Sequence, residues 1–188
     1  MSQRQIVIDL CYLKDDRCLQ MLSAQLCTKG RCLPLYHEVF REGELKGRTE
    51  SFLAHLSKLI PQDKPVIVLM DAGFHVEWFS LIEHYGWNWV CRIRRGKDLR
   101  LATEDSWISV KDFIPQVSNH TKDYPGCVID TKDACFLLDW PAGKKIIIRS
   151  NCFFSCFCRF ICNFNCHPSS SFSNVNFLYN ILRNIEFK

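Results

Sequence analysis

No run of apolar residues in this chain of 188 approaches the ~18 that a membrane-crossing helix requires. The opening MSQRQIVIDL lacks the basic stretch and small-residue cleavage site of a secretory signal. There is no internal repeat. The expectation from these absences is a cytoplasmic chain that uses no membrane. A disulfide framework is excluded on the same ground, because 12 cysteines without an export signal meet a reducing compartment. Wholesale disorder is excluded by composition, with 47% hydrophobic and 23% charged residues. The length suits one domain with a sizeable core, or one domain and an appendage.

Charge is scarce in one place. After residue 150 only Arg159, Arg183, Glu186 and Lys188 are charged, and Cys, Phe, Ser and Asn make up 25 of 38 residues. Residues 1–150 hold the other 40 charges, seven of the 12 cysteines and six of the 14 phenylalanines. Two compositions therefore share one chain. The overall charge of +4 permits nucleic-acid binding without requiring it.

Gln5 to Leu10 (QIVIDL) is a short apolar, β-branched run with one acid, and predicts a central strand. Leu19 to Cys27 and Arg31 to Phe40 predict a hairpin turning at Thr28-Lys29-Gly30. Phe52, Leu53, Leu56, Leu59 and Ile60 fall on one helical face, with Thr49 as the N-cap and Pro61 as the stop. Val66 to Met70 is continuously apolar, as a parallel strand covered on both faces should be. Residues 75–85 predict a second helix bearing Trp78, Leu81, Ile82 and Tyr85 on one face, with Gly86 at C′. Trp87 to Arg94 alternates, setting Trp87, Trp89, Cys91 and Ile93 on a greasy face. Packing in the core is the preferred reading of Trp87 and Trp89 over stacking on bases. Beyond Gly96, short strands are expected at Trp107 to Phe113, Cys127 to Ile129, Phe136 to Leu138 and Ile146 to Ile148.

The order strand, hairpin, helix, strand, helix, strand is an α/β pattern with right-handed crossovers. Asp9 lies in the first strand, and Asp71 follows the fourth at its carboxyl end, where open α/β sheets bind ligands. If those strands are neighbours, two carboxylates meet and offer hard oxygen ligands to Mg²⁺ or Mn²⁺. The competing reading makes each acid a turn-former or cap. Arg92, Arg94, Arg95 and Lys97 form a basic cluster suited to DNA phosphates, or equally a solvated strand face. His37, His55, His75 and His84 show no metal-ligand spacing.

Two blocks carry a resemblance: IDLCYLKDDRCLQMLSAQLCTKGRCLPLYHEVF and PVIVLMDAGFHVEWFSLIEHYGWNWVCRIRRGK. They combine an Asp after an apolar strand, a Gly30-Arg31 to Leu35-Tyr36 strand, Asp71-Ala72-Gly73-Phe74, a Gly-Trp-x-Trp turn and an Arg-x-Arg strand. In these features the chain resembles the catalytic core of bacterial DDE transposases of the insertion-sequence-4 family, insertion-sequence-10 type. The likeness weakens through SWISVKDFIPQ, ends near residue 145 and spans about three-quarters of the chain.

The resemblance implies a ribonuclease-H-like α/β fold, a mixed sheet with flanking helices in which the first and fourth strands lie side by side. The core is expected over residues 1–100, a β-rich extension over 101–150 and an irregular Cys/Phe-rich tail over 151–188. It also implies cut-and-paste DNA transposition by metal-dependent phosphodiester hydrolysis and strand transfer. Asp9 and Asp71 match the family's first two acidic ligands to Mg²⁺ or Mn²⁺. Implied partners are transposon ends, target DNA, and a second copy or an intact transposase. The family's third acid, a Glu in Tyr-x-x-Arg-x-x-x-Glu-x₆-Lys, has no match; Tyr179, Arg183, Glu186 and Lys188 have the wrong spacing. Asp9 also stands too early for the family's N-terminal end-binding domain to precede it. The expectation is a transposase truncated at both ends and inactive alone. A non-catalytic DNA-binding or regulatory form is the alternative, and an unrelated metal-dependent nuclease of the same fold a third.

The tail offers Cys152, Cys156, Cys158, Cys162 and Cys166-His167, but no second pair-and-loop pattern completes a zinc site. An out-of-frame reading from about residue 146 accounts for its composition better. Lys144-Lys145-Ile146-Ile147-Ile148 can be encoded by an A/T-rich run where an insertion or deletion is easy. Sequencing the locus tests this: another frame downstream of codon 145 should encode a helix with the Tyr-Arg-Glu-Lys signature, and its absence from every frame refutes the idea.

Overall fold

The computed structural model describes residues 3–13, 15–28, 31–71, 73–92, 96–113, 123–129, 132–139 and 145–149. The Cys-rich tail, Glu186 and the turn residues Lys29 and Gly30 lie outside them. The elements are β1 (Arg4–Tyr12), β2 (Leu19–Thr28), β3 (Arg31–Arg41), α1 (Arg48–Leu59), β4 (Val66–Met70), α2 (Val76–His84), β5 (Asn88–Arg92), β6 (Asp98–Arg100), β7 (Ile108–Ser109), α3 (Val110–Phe113), β8 (Asp123–Ile129), β9 (Lys132–Asp139) and β10 (Lys145–Arg149). The architecture is mixed α/β, and the chain groups into two compact units, Met1–Trp89 and Val90–Lys188.

In the first unit the strand order is β3-β2-β1-β4. β1, β2 and β3 run antiparallel in sequence, and β4 joins β1 in parallel. The hairpin forms, but Thr28 belongs to β2 rather than to the turn: it stands opposite Arg31, its hydroxyl donating to the Arg31 carbonyl at 2.9 Å. A register shift between Ala24 and Gln25 bends the pair. β3 is an edge strand, interrupted by Pro34, with Leu33 and Val39 exposed.

The core follows the apolar pattern. β4 is buried at all five positions, as its unbroken Val-Ile-Val-Leu-Met run requires. Phe52, Leu53 and Leu56 carry the buried face of α1. Tyr36 of β3 packs on Phe52 with ring centroids 5.1 Å apart, and Phe52 meets Trp78 of α2 at 6.2 Å. Trp89 is fully buried and stacks on Phe79 at 4.0 Å, while its indole N–H donates to Glu83 at 2.9 Å. Burying an aromatic ring and satisfying its polar atom together makes Trp89 a core residue, and Trp87 is buried as well.

Two local expectations are corrected. The N-cap of α1 is Gly47 rather than Thr49, which is buried inside the helix. Gly47 takes a left-handed φ of 87°, and Arg48 is then held by Glu38 at 2.8 Å and Glu44 at 3.1 Å. The Glu38 pair joins the first residue of the helix to β3, a contact that helical periodicity does not encode. The segment Trp107 to Phe113 is a two-residue strand followed by a helical turn, not one strand. The Ser109 hydroxyl caps that turn, accepting the Asp112 N–H at 3.2 Å.

In the second unit the order is β5-β10-β9-β8-β6-β7. β8, β9 and β10 realise the expected strands at Cys127 to Ile129, Phe136 to Leu138 and Ile146 to Ile148, each longer than the apolar signal. Leu99, Val110, Phe113, Cys127 and Ile129 are buried in this unit.

Gly86 ends α2 as anticipated, with φ 70° and its N–H donating to the Glu83 carbonyl at 2.9 Å. A Cβ there meets no atom within 4 Å, so the cost of adding one is conformational alone. Gly86→Ala is expected to lose about 1 kcal/mol in denaturant titrations. Gly96→Ala, at a position with neither positive φ nor a close neighbour, should stay within about 0.5 kcal/mol of the parent.

Candidate functional site

The first unit brings two acids to one end of its sheet. β1 and β4 pair in parallel with Ile8 opposite Met70, so Asp9 and Asp71 are the next residues on the two neighbouring strands. β4 stops there. Asp71 begins a turn in which its carbonyl accepts the Phe74 N–H at 3.3 Å. The Phe74 ring stands edge-on to Trp78 at 4.9 Å, fixing the turn to the first coil of α2. Asp71 is 8% exposed. β1 runs on to Tyr12, so Asp9 stays within a strand, opposite Ser23 of β2, whose hydroxyl donates to the Asp9 carbonyl at 3.4 Å.

The Asp9 carboxyl senses both its burial and its neighbour. Burial pushes the Asp9 carboxyl above the ordinary aspartate range. A backbone hydrogen bond from Leu10 opposes this, and the negative charge of Asp71 adds to it. Cys11 lies two residues further on the same face of β1; burial raises its thiol, and the charge of Asp9 raises it further. Cys11 is the neighbour that motif reading passed over, although period-2 alternation from Asp9 puts it on that face.

A pair of like charges crowded at a half-buried strand end is a donor set for a hard divalent cation, which offsets both charges and asks for oxygen ligands. Asp9 and Asp71 therefore fit Mg²⁺ or Mn²⁺. Among the described residues no group of three His, Cys, Asp or Glu side chains gathers as a fuller site.

The basic cluster is only partly described. Arg94 and Arg95 lie outside the described residues, and Arg92 closes β5. Lys97 belongs to the second unit, where its carbonyl accepts the Val110 N–H at 2.8 Å. Among the described residues no helix is long and apolar enough to cross a membrane.

No protein-family model matches the chain, and no curated protein matches it. Among solved structures it is similar to the catalytic domain of human endonuclease V, at 18% identity and a TM-score of 0.44, covering 79% of this chain and 68% of that one. It is also similar to Ciona intestinalis endonuclease V in complex with DNA containing an inosine followed by a ribo-adenosine, at 17% identity and a TM-score of 0.41, covering 79% and 71%. Argonaute of Aquifex aeolicus gives 14% identity and a TM-score of 0.45, with 86% of this chain matching 24% of that one.

The raised Asp9 carboxyl sets a pH dependence. The folded state holds the Asp9 proton more tightly than the unfolded chain does, so this contribution to stability is full below the unfolded value near pH 4 and is lost as pH rises through the folded value. Asp9→Asn is therefore expected to be more stable than the parent at pH 7. The two should converge at pH 3. Thermal melts across pH 3–8 check this, and a variant less stable at pH 7 contradicts it.

Proposed function

We propose that this chain carries the catalytic-core region of a DDE-type transposase of the insertion-sequence-4 family, and that Asp9 and Asp71 are its metal-binding acids. The observation that carries the reading is the parallel pairing of β1 with β4, which delivers both carboxylates to one sheet end. The resemblance requires its first and fourth strands to be neighbours. A ribonuclease-H-like core is the fold we assign to the first unit on that basis.

In this reading Asp9 and Asp71 hold Mg²⁺ or Mn²⁺ through their oxygens. When bound, the cation supplies the charge that activates an attacking hydroxyl and offsets negative charge at phosphorus. The partial burial of Asp9 and Asp71 keeps both carboxylates from full hydration, which strengthens their hold on a cation. Phe74 on Trp78 keeps the Asp71 turn in place. In this reading the substrate is DNA, namely transposon ends and target. The family's Glu signature is missing from these 188 residues, so the pair alone is an incomplete catalyst.

Mn²⁺ binding followed by electron paramagnetic resonance tests the site. Asp9→Asn and Asp71→Asn should each weaken binding by about tenfold or more. Binding equal to the parent in both variants refutes the assignment. Purified polypeptide is expected to give no end cleavage in Mg²⁺ or Mn²⁺. A product that vanishes in Asp9→Ala or Asp71→Ala would show that no third acid is needed. The missing Glu signature also favours a second reading, a non-catalytic DNA-binding or regulatory form. Salt-dependent DNA binding that survives Asp71→Ala, without Mn²⁺ binding by the parent, selects it.

A further inference from the structure

Cys27 and Cys32 face each other across the β2–β3 hairpin. They are directly opposite in register, and their Sγ atoms lie 3.6 Å apart. Both are half-buried, so small molecules reach them. They sit at the turn end of the hairpin, four residues along β2 from Ser23, which pairs with Asp9.

The geometry suits a bond. Residues directly opposed in an antiparallel ladder have Cα atoms about 4.5–5.5 Å apart. Disulfides span Cα separations of about 4.4–6.8 Å. Rotation about χ1 is then enough to carry two sulfurs from van der Waals contact to bonding distance. In the same ladder Cys11 stands opposite Met21, and Cys18 is exposed just before β2.

We propose that Cys27 and Cys32 are a cross-strand dithiol that a small-molecule disulfide oxidises to an intramolecular disulfide, a modification site separate from the carboxylate pair. One thiolate of the pair attacks a sulfur of the oxidant, such as glutathione disulfide. That S–S bond breaks, a mixed disulfide forms, and one glutathione thiolate leaves. The second cysteine thiolate attacks the cysteine sulfur of the mixed disulfide and expels the second glutathione. Two protein thiols are oxidised, one disulfide is reduced to two thiols, and the two protons pass to the departing thiolates. The fold contributes by holding the second thiol in contact with the first, so resolution outruns accumulation of the mixed disulfide.

Full-length protein is equilibrated with reduced and oxidised glutathione, alkylated, cut with trypsin without reduction and mapped by mass spectrometry. Trypsin separates residues 18–29 from 32–41, so the cross-link joins two peptides. Fragmentation, or a Cys18→Ser variant, distinguishes Cys27 from Cys18. The expected result is a Cys27–Cys32 link formed at a ratio of oxidised to reduced glutathione about tenfold lower than in guanidinium-unfolded protein. Recovery of both residues mainly as glutathione mixed disulfides, or a link no easier in the folded than in the unfolded chain, overturns the proposal. Mapping the parent needs no cysteine variant to fold. Asp9→Asn should leave the link unchanged, and its loss there would tie the pair to the carboxylate site instead.

Discussion

The parallel hydrogen-bonded pairing of β1 with β4 is the constraint on which the candidate site depends. A parallel neighbour cannot be reached by a tight turn, so the chain must leave β1, complete the β2–β3 hairpin and α1, and return in the same direction. That route ends with Ile8 beside Met70. A slip of one residue would turn β4's side chains to the opposite face and remove one carboxylate from the other's company. Because β4 is buried at every position, its register is set by core packing, and the spacing of Asp9 and Asp71 inherits that rigidity.

Charge at the end of such a strand is held against solvation rather than with it. Leu10 offers Asp9 one backbone hydrogen bond, while burial and Asp71 push the other way. The balance leaves a site that is less comfortable empty than charge-compensated. The aromatic chain from Tyr36 through Phe52 to Trp78 and Phe74 ties β3, α1, α2 and the Asp71 turn together by ring contacts of 4.9–6.2 Å. The turn carrying the second acid is thereby anchored to the core of its unit.

Much of this was legible because apolar runs are bounded by turn residues. Val66 to Met70 reads as a doubly covered strand from its lack of alternation, and it is one. Gly86 marks the end of α2 because positive φ there excludes other residues at low cost. Trp87 and Trp89 are buried as the alternation of Trp87 to Cys91 predicts, although Val90 of the other face is buried too. The start of α1 was not legible, since Arg48 is fixed by Glu38 from another strand. Nor was the helical turn at Val110–Phe113, which is too short for a periodic signal. The meeting of Asp9 and Asp71 required knowing which strands are neighbours, and composition does not contain that. The Cys27–Cys32 contact required the register of the hairpin at its turn, where Thr28 pairs with Arg31 and Cys27 therefore with Cys32.

The interrupted edge strand has a bearing on how the protein behaves in a crowded solution. Among the described residues β3 has a strand on one side alone over its 11 residues, with Leu33 and Val39 exposed, and such an edge is a template for another chain's strand. Pro34 has no N–H to offer, so the row of donors is broken near its beginning, and the bend at Ala24/Gln25 turns the remainder away from a flat approach. One imino acid and one bulge thus break the continuity that strand-on-strand pairing along this edge would need.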